Sequence, residues 1–290
     1  MPSTTVAFQG EPGAYSELAA FQFFNIEIET LPCPTFEAIF TSVQTGDATH
    51  GFVPIENSVA GSIHRNYDHL LANDLSIVGE YHLRVSHCLM ALSGVPLSEI
   101  TRVHSHPQAL AQCRDRLRQM ELESVAGVDT AGSARLLRER GDRQAAALAS
   151  KRAANVYDLD ILIEGMEDNP ANYTRFLVVA KERYSPSADN GGDCKTSVVF
   201  HLHNQPGALF KALSVFALRD IDLTKIESRP IPGKPWEYMF YIDYIGHADE
   251  CVSQRALDHL GELASFIRVL GSYPRHWVID ERGSSQEPRS

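Results

Sequence analysis

The chain has 290 residues, 43% of them hydrophobic, and a net charge of −11 at pH 7 with a pI near 5.5. This length and hydrophobic content predict a globular protein of two or three domains. The acidic balance argues against nucleic acid or an anionic membrane as a partner, because both require clustered Lys and Arg side chains.

The cysteines and the first residues bear on the cellular compartment. The five cysteines are odd in number and contain no CxxC pair, which fits unpaired structural thiols in a reducing compartment. The opening MPSTT has no basic n-region, and no apolar run reaches the roughly 18 residues of a membrane span. We therefore expect a cytoplasmic protein that makes no membrane contact.

From Thr4 to about Ala180, strand-like and helical segments alternate, which predicts an α/β fold of the doubly wound type. TTVAFQ, IEIETL and GFVPI are the first strands, followed later by CLMAL, a strand ending at Val103, a long helix over 107–120, VAG and AAALAS. We predict two lobes with a cleft between them, an architecture shared with periplasmic binding proteins. The region covers 1–184, with one lobe at about 1–80 and 158–184 and the other at about 81–157.

The pattern changes after residue 184. Residues 185–195, SPSADNGGDCK, are rich in Ser, Gly, Asp and Asn and predict a linker. Residues 196–280 then follow the order βαββαβ, which is typical of a ferredoxin-like domain. The tail 281–290, ERGSSQEPRS, is predicted to be disordered.

Polar residues gather where strands begin or end. Asn172, Tyr173, Thr174 and Arg175 stand directly before the apolar strand FLVVA. Polar segments follow four strands, at 10–16, 56–62, 104–108 and 128–133, and all but 104–108 contain glycine. Helix starts of this kind can hold carboxylates through backbone N–H groups without any net basic charge. N-capping is the other interpretation of each segment, although four equivalent places in two lobes favour a ligand site.

Other site chemistries have little support. His104 and His106 form a spaced pair, as do His201 and His203, but neither pair has an obvious third ligand, so no metal site is predicted. The chain contains no GxGxxG, GxxxxGK[ST], HExxH or GxSxG motif. Nucleotide-dependent chemistry and serine hydrolysis are therefore not indicated.

Several motifs together resemble the prephenate dehydratase family over about 275 residues. They are NYTRFLVVA, VPIENSVAGSI over 53–63, SHPQAL over 105–110, and the spaced residues Tyr157, Leu159, Leu162 and Asp168 before TRFLVV. The C-terminal domain resembles an ACT domain. The resemblance implies conversion of prephenate to phenylpyruvate, carbon dioxide and water, with no metal and no organic cofactor. Because TTVAFQG begins at once, we expect a form without a fused chorismate mutase domain.

The resemblance also assigns catalytic roles. The family's essential threonine corresponds to Thr174, which we expect to donate a hydrogen bond to the departing hydroxyl. Glu56 either completes a proton relay or is a helix-start carboxylate. Arg175 either binds a substrate carboxylate or is structural, and the alternation of strand side chains favours the structural role. Phe176 shares the face of Thr174 and would form an apolar wall for the ring.

The remaining predicted ligands fall into two groups. Donors to the substrate carboxylates or hydroxyl are expected from both lobes, at Asn57, Ser58, Ser105, His106 and Gln108. The resemblance places L-phenylalanine as an effector between paired C-terminal domains, at Asn204, Gly207, Ala208, Leu209, Phe210, Glu227, Ser228, Arg229 and Pro230. The aromatic strand WEYMFYIDY needs its faces covered, so we expect a homodimer or homotetramer.

Three alternatives remain open from the sequence. Arogenate, which carries an amino group in place of the side-chain ketone of prephenate, is the second candidate substrate. A two-lobed protein that binds small anions without catalysis would share the architecture, although the C-terminal domain argues against it. An amino-acid sensor with a decayed catalytic half would not need the intact NYTRF and IENS motifs.

Overall fold

The computed structural model describes residues 4–25, 27–185, 193–231, 233–279 and 285–286. The described chain forms two mixed sheets followed by a four-stranded antiparallel sheet. This confirms the predicted α/β class with a ferredoxin-like C-terminal domain. No helix in the described ranges is both long enough and apolar enough to cross a membrane.

The first sheet has the strand order β2-β1-β3-β11-β5, with the short β4 paired to β3. β1 lies parallel to both β2 and β3, and its central residues Val6, Ala7 and Phe8 are completely buried. The continuous apolar run of TVAFQ is therefore a central strand covered on both faces. The elements are β1 Thr5–Gln9, α1 Tyr15–Phe24, β2 Glu29–Cys33, α2 Phe36–Thr45, β3 His50–Asn57, β4 Gly61–Ser62, α3 His64–Ala72, β5 Ser76–Arg84 and β11 Tyr173–Ala180.

The second sheet has the order β10-β6-β9-β7-β8. Two features differ from expectation: the helix predicted over 107–120 is broken at Cys113, and β10 lies beside β6 in this sheet, whereas residues 158–184 were assigned to the first lobe. The antiparallel pairing of β10 with β6 explains the second difference, because a doubly wound pattern predicts parallel neighbours. The elements are β6 Cys88–Leu92, a 3₁₀ turn Leu97–Glu99, β7 Arg102–Ser105, α4 Pro107–Gln112, α5 Arg114–Gln119, β8 Glu123–Ala126, α6 Thr130–Arg140, β9 Ala145–Ala149, α7 Lys151–Tyr157 and β10 Leu159–Ile163.

The C-terminal domain has the predicted βαββαβ order, with strands in the order β13-β14-β12-β15. Its core is formed by one face of the sheet and two helices, around Phe200, Phe216 and Tyr244. The elements are β12 Cys194–Leu202, α8 Ala208–Ala217, β13 Leu223–Pro230, β14 Tyr238–Ile245, α9 Cys251–Leu263 and β15 Ala264–Pro274. Beyond them, β16 Val278–Ile279 pairs with β17 Ser285–Gln286, which is the described part of the predicted disordered tail. Residues 186–192 of the predicted linker and the rest of the tail lie outside the described residues.

The chain divides into two compact units. The first comprises Met1–Ile63 and Tyr81–Phe176, and the second comprises His64–Glu80 and Leu177–Glu287. The second unit therefore contains α3 and the first half of β5 together with the C-terminal sheet. Within it, Lys195 and Glu80 form a fully buried ion pair with 2.9 Å between Nζ and Oε1, and the backbone N–H of His276 donates to the same carboxylate.

The close approach of β15 to β5 inside the second unit generates a stability prediction. A Cβ atom at the buried Gly271 would lie 2.1 Å from the carbonyl oxygen of Ile77. Because that neighbour is backbone, Gly271→Ala should lower the free energy of unfolding by about 1–3 kcal/mol or more. Gly261→Ala is the control, since Gly261 is exposed in α9 with nothing within 4 Å of its added Cβ, and it should stabilise by up to about 1 kcal/mol. Urea unfolding of both variants checks the contrast, and equal effects would contradict it.

Candidate active site

Asn57, at the end of β3, fixes the hydroxyl of Thr174 at the start of β11. The Asn57 Nδ2 donates to Asn172 Oδ1 over 2.8 Å, and its second N–H is shared between Thr174 Oγ1 at 3.0 Å and the Tyr173 carbonyl at 3.1 Å. The Asn57 Oδ1 accepts from the backbone N–H groups of Val59 and Ala60, at 3.0 and 2.9 Å. Since a backbone N–H can only donate, the orientation of the Asn57 amide is determined. Thr174 accepts at its oxygen, so its own hydrogen is available to a ligand.

The donor-to-acceptor direction set by Asn57 continues along a series of neutral, hydrogen-bonded side chains. Asn172 accepts from Asn57 and therefore presents its Nδ2 to Gln112 Oε1, 3.1 Å away. Gln112 Oε1 also lies 2.9 Å from His87 Nε2, so His87 must donate through Nε2. The other ring nitrogen, Nδ1, then accepts from the Tyr15 hydroxyl over 2.7 Å. Gln112 uses its oxygen for both bonds, which leaves its amide N–H groups for a ligand.

Burial keeps these hydrogen-bonded side chains uncharged. It lowers the pKa of the His87 imidazole, which favours the neutral ring that the hydrogen bonds require. It also raises the pKa of Tyr15 well above its usual range, so the phenol stays protonated. Nearby, burial raises the pKa of the Cys88 thiol to about 11 and that of Cys113 further still, which makes both thiols inert as nucleophiles. All five cysteines are unpaired, and Cys251 is the exposed one.

Thr174 opens onto a cavity of about 240 Å³ within the first unit. Among the described residues that line it there is no Lys or Arg side chain, and the single carboxylate is that of Asp129, which caps α6 through a bond to the Gly132 N–H. A second cavity of about 410 Å³ lies next to it and shares the side chains of Gln108 and Gln112. The first cavity is lined by Tyr15, Ser16, Pro54, Asn57, Ile63, Val85, His87, His106, Gln108, Gln112, Asp129, Thr130, Thr174 and Phe176.

Five of the predicted residues line this cavity: Thr174, Phe176, Asn57, His106 and Gln108. Phe176 is almost fully buried and packs against Phe52 with 5.1 Å between ring centroids, which suits the predicted apolar wall. His106 caps α4 by accepting from the Gln108 N–H at Nδ1. The structure changes the role of Asn57, whose amide bonds Thr174 and its neighbours where a direct bond to substrate was expected.

Four predicted residues are placed elsewhere. Ser105 is completely buried and donates to the Leu148 carbonyl over 2.6 Å, so it is not a substrate donor. Ser58 donates to the Ala171 carbonyl and accepts from the Tyr173 N–H, so its hydroxyl links the end of β3 to the start of β11. Neither Glu56 nor the buried Arg175 is among the lining residues, and the Thr174 hydroxyl is bonded by Asn57 where a Glu56 relay was considered.

Sequence reasoning missed Tyr15, His87 and Gln112. Gln112 had a usable signal, because it lies four residues after Gln108 on one helix and so shares its face. Tyr15 stands in a segment that was singled out for its helix start, whereas His87 carried no local signal. Among the described residues, no group of three or more His, Cys, Asp or Glu side chains could hold a metal ion.

The predicted effector residues divide between two surfaces of the second unit. Asn204, Ala208 and Leu209 line a cavity of about 140 Å³ together with Trp236 and Tyr238. Gly207 caps α8 with φ at 77°, and Phe210 is 76% exposed outside the cavity. The 227–230 segment does not line it: Ser228 and Pro230 are exposed on β13, while Glu227 and Arg229 pair with α3. Within one chain the two predicted segments therefore form no common site.

Comparison with known proteins gives a consistent identity. Residues 6–184 match the family model described as prephenate dehydratase, and residues 196–250 match the ACT domain. Arogenate dehydratase/prephenate dehydratase 1, chloroplastic, of Arabidopsis thaliana is 48% identical over 287 residues, covering 94% of this chain and 72% of the relative.

Two solved structures are similar over most of the chain. A prephenate dehydratase from Arthrobacter aurescens, solved in complex with L-Phe, has a TM-score of 0.84 and 34% identity, covering 94% of this chain and 90% of the other. GqqA, described as a novel type of quorum quenching acylase, has a TM-score of 0.87 and 38% identity, covering 94% and 98%. The family match spans more than half of the chain, so this chain belongs to the prephenate dehydratase family and carries a C-terminal ACT domain.

Proposed function

We propose that the chain catalyses the decarboxylating dehydration of prephenate to phenylpyruvate, with arogenate as the alternative substrate, in L-phenylalanine biosynthesis. The observation that carries the proposal is the Thr174 hydroxyl, which accepts from Asn57, keeps its own hydrogen for another partner and lines a cavity walled by Phe176. The curated relatives named as arogenate and prephenate dehydratases support the same reaction type.

We also propose a cytoplasmic location, since the cysteines are unpaired thiols.

The geometry suits the chemistry of this substrate. In prephenate the bond between the ring and its carboxylate breaks, the electron pair enters the ring, and the hydroxyl on the far ring carbon leaves with the electrons of the C–O bond as hydroxide, which takes a proton from solvent to become water. Hydroxide is a poor leaving group, so a hydrogen bond that strengthens as the C–O bond breaks lowers the barrier. Thr174 can supply that bond because its oxygen is polarised by the Asn57 N–H. The Gln112 amide, Gln108 and His106 remain to hold carboxylates.

Thr174→Ala should lower kcat by about 100-fold or more, because one preorganised donor is lost. Thr174→Ser is the matched control, as it keeps the hydroxyl and should retain most of the activity. Absorbance of the phenylpyruvate product gives the rate, and circular dichroism checks that both variants fold. A near-normal kcat for Thr174→Ala would exclude this residue from the reaction.

The cavity wall favours arogenate on one specific ground. Asp129 supplies the single carboxylate of the lining, with no Lys or Arg side chain beside it in that wall. An ammonium group is attracted to such a carboxylate, whereas a neutral ketone gains little from it. Arogenate has an ammonium where prephenate has a ketone.

Asp129→Asn should therefore lower kcat/KM for arogenate relative to prephenate by about tenfold, the size of a single-contact discrimination. The substitution keeps an acceptor for the Gly132 N–H, so the α6 cap and the stability should be preserved. Turnover of both substrates by the two proteins measures the ratio. An unchanged ratio would remove Asp129 from substrate selection.

We further propose that L-phenylalanine inhibits the enzyme by binding between paired ACT domains. The 227–230 segment pairs with Tyr238 and Phe240 of β14, which line the Asn204–Leu209 cavity, but does not itself line it, so we infer that a site using both segments draws on a second chain. Phe210, Leu218 and Trp236 are each more than three-quarters exposed on this domain, so apolar surface is available for contact with a second chain.

The chain should sediment as a dimer or larger at micromolar concentration, and millimolar L-phenylalanine should reduce turnover. The side chain of Trp236 borders the cavity, so its fluorescence should report binding. D-phenylalanine is the control ligand, because the same groups in mirror-image order cannot make all the contacts. A 32.1 kDa monomer insensitive to L-phenylalanine would contradict the regulatory assignment and leave the catalytic one intact.

A further inference from the structure

Helix α3 lies in the catalytic domain by sequence but is held by the ACT sheet. Arg229 of β13 forms a two-point ion pair with Asp68, with 2.8 Å from Nη2 to Oδ2 and 3.4 Å from Nε to Oδ1. Two residues earlier on the same strand, Glu227 lies 3.4 Å from His64 Nε2. Both partners stand on one face of α3, four residues apart.

The other strands of the ACT sheet hold the rest of α3. Tyr241 of β14 donates to the Tyr67 carbonyl over 3.1 Å, and the two rings meet edge to face at 5.0 Å. Arg268 of β15 donates to the carbonyls of Leu71 and Asn73, at 3.1 and 2.9 Å. These are carbonyls at the C-terminal end of α3, where a helix has no internal donors left and attracts a cation. Strands β13, β14 and β15 thus each bind α3.

The N-terminal end of α3 continues directly into the active site. His64 follows Ile63, which lines the Thr174 cavity. Ile63 is fixed to β3 by donation to the Ile55 carbonyl over 2.9 Å, and β4 pairs Gly61 with Asn57. The turn between these strands carries the Val59 and Ala60 N–H groups that orient the Asn57 amide. Gly61 has φ at +83°, with nothing within 4 Å of a Cβ placed on it, so this point of the turn has space to move.

We propose that α3 transmits the state of the ACT sheet to Thr174 through this turn. The inference rests on the proposed inhibition by L-phenylalanine. A shift of β13 moves Glu227 and Arg229, α3 follows their contacts with His64 and Asp68, and Ile63 displaces the turn that holds Asn57. Because the bond from Asn57 to Thr174 is 3.0 Å long, a displacement of about 0.5 Å takes it out of hydrogen-bond range. Thr174 then loses the donor that polarises and aims its hydroxyl.

The test uses the α3 side of the ion pairs, because His64 and Asp68 belong neither to the catalytic cavity nor to the expected effector site. The full-length double variant His64→Gln with Asp68→Asn should keep kcat and KM without inhibitor within about twofold of the wild type. Its affinity for L-phenylalanine, from Trp236 fluorescence, should also stay within about twofold. The change in turnover between zero and saturating L-phenylalanine should fall by about fivefold or more. Asp115→Asn is the control, since Asp115 is an exposed partner of Arg114 on α5.

The outcomes separate the two proposals. Full inhibition of the double variant would overturn the role of α3, and so would loss of L-phenylalanine binding, which would place these pairs in the effector site. A wild-type enzyme that L-phenylalanine does not inhibit would refute the proposed regulation instead.

Hydrogen exchange of the wild type decides the matter if the double variant does not fold. L-phenylalanine should change the exchange of backbone amides in residues 57–72 by at least about threefold. Amides of α6, which packs against β9 of the second sheet, should be unaffected. Unchanged exchange over 57–72 under saturating L-phenylalanine would overturn the proposal.

Discussion

The orientation of one carboxamide, that of Asn57, sets the direction of the hydrogen bonds that run from Thr174 through Asn172 and Gln112 to His87 in the candidate active site. Two backbone N–H groups of the β3–β4 turn demand its oxygen, so its nitrogen must face Asn172 and Thr174. Each partner then has only one role left, as acceptor or donor, down to the imidazole of His87 and the phenol of Tyr15. The conformation of the β3–β4 turn thereby determines that Gln112 presents its N–H groups, and Thr174 its hydrogen, to a ligand.

This arrangement would allow an acidic protein to hold the anionic substrate proposed for it. The cavity lining offers amides, hydroxyls and a neutral imidazole in place of Lys or Arg side chains. Fixed dipoles need no reorganisation when charge moves from the ring carboxylate towards the leaving oxygen, and they are strongest where water is excluded. A cationic side chain close to the ring carboxylate would stabilise the ground state that has to decarboxylate. The absence of such a side chain from the lining is consistent with selective binding of the transition state.

The sequence predicted the parts of this site that depend on local order. Strand periodicity located β11, and alternation along it placed Thr174 and Phe176 on one face with Arg175 on the other. It could not distinguish a hydroxyl that faces a ligand from one that is bonded within the protein. Ser105 donates to the Leu148 carbonyl, 43 residues away, and Ser58 donates to the Ala171 carbonyl, 113 residues away. His87 depends on Gln112 and Tyr15, which are 25 and 72 residues distant, so its role exists only in the folded chain. The assignment of β10 to the first lobe failed for the same reason: its antiparallel pairing with β6 depends on distant residues and leaves no periodic signal in the sequence.

The second unit combines one fixed attachment with several adjustable ones. The Lys195–Glu80 pair is fully buried, and breaking such a pair by removing one partner costs about 3–5 kcal/mol, so it holds β12 on β5 under all conditions that keep the protein folded. The pairs of α3 with β13 are different, since the His64 and Asp68 side chains are 53% and 51% exposed. Exposed pairs contribute about 0–1 kcal/mol each, comparable with the difference that a bound amino acid can create between two states. Arg268 of β15 anchors the C-terminal end of α3, whereas the pairs of His64 and Asp68 with β13 are weak. In the proposed coupling, α3 therefore moves as a lever while the fold stays intact, and the end that moves is the one joined to Ile63.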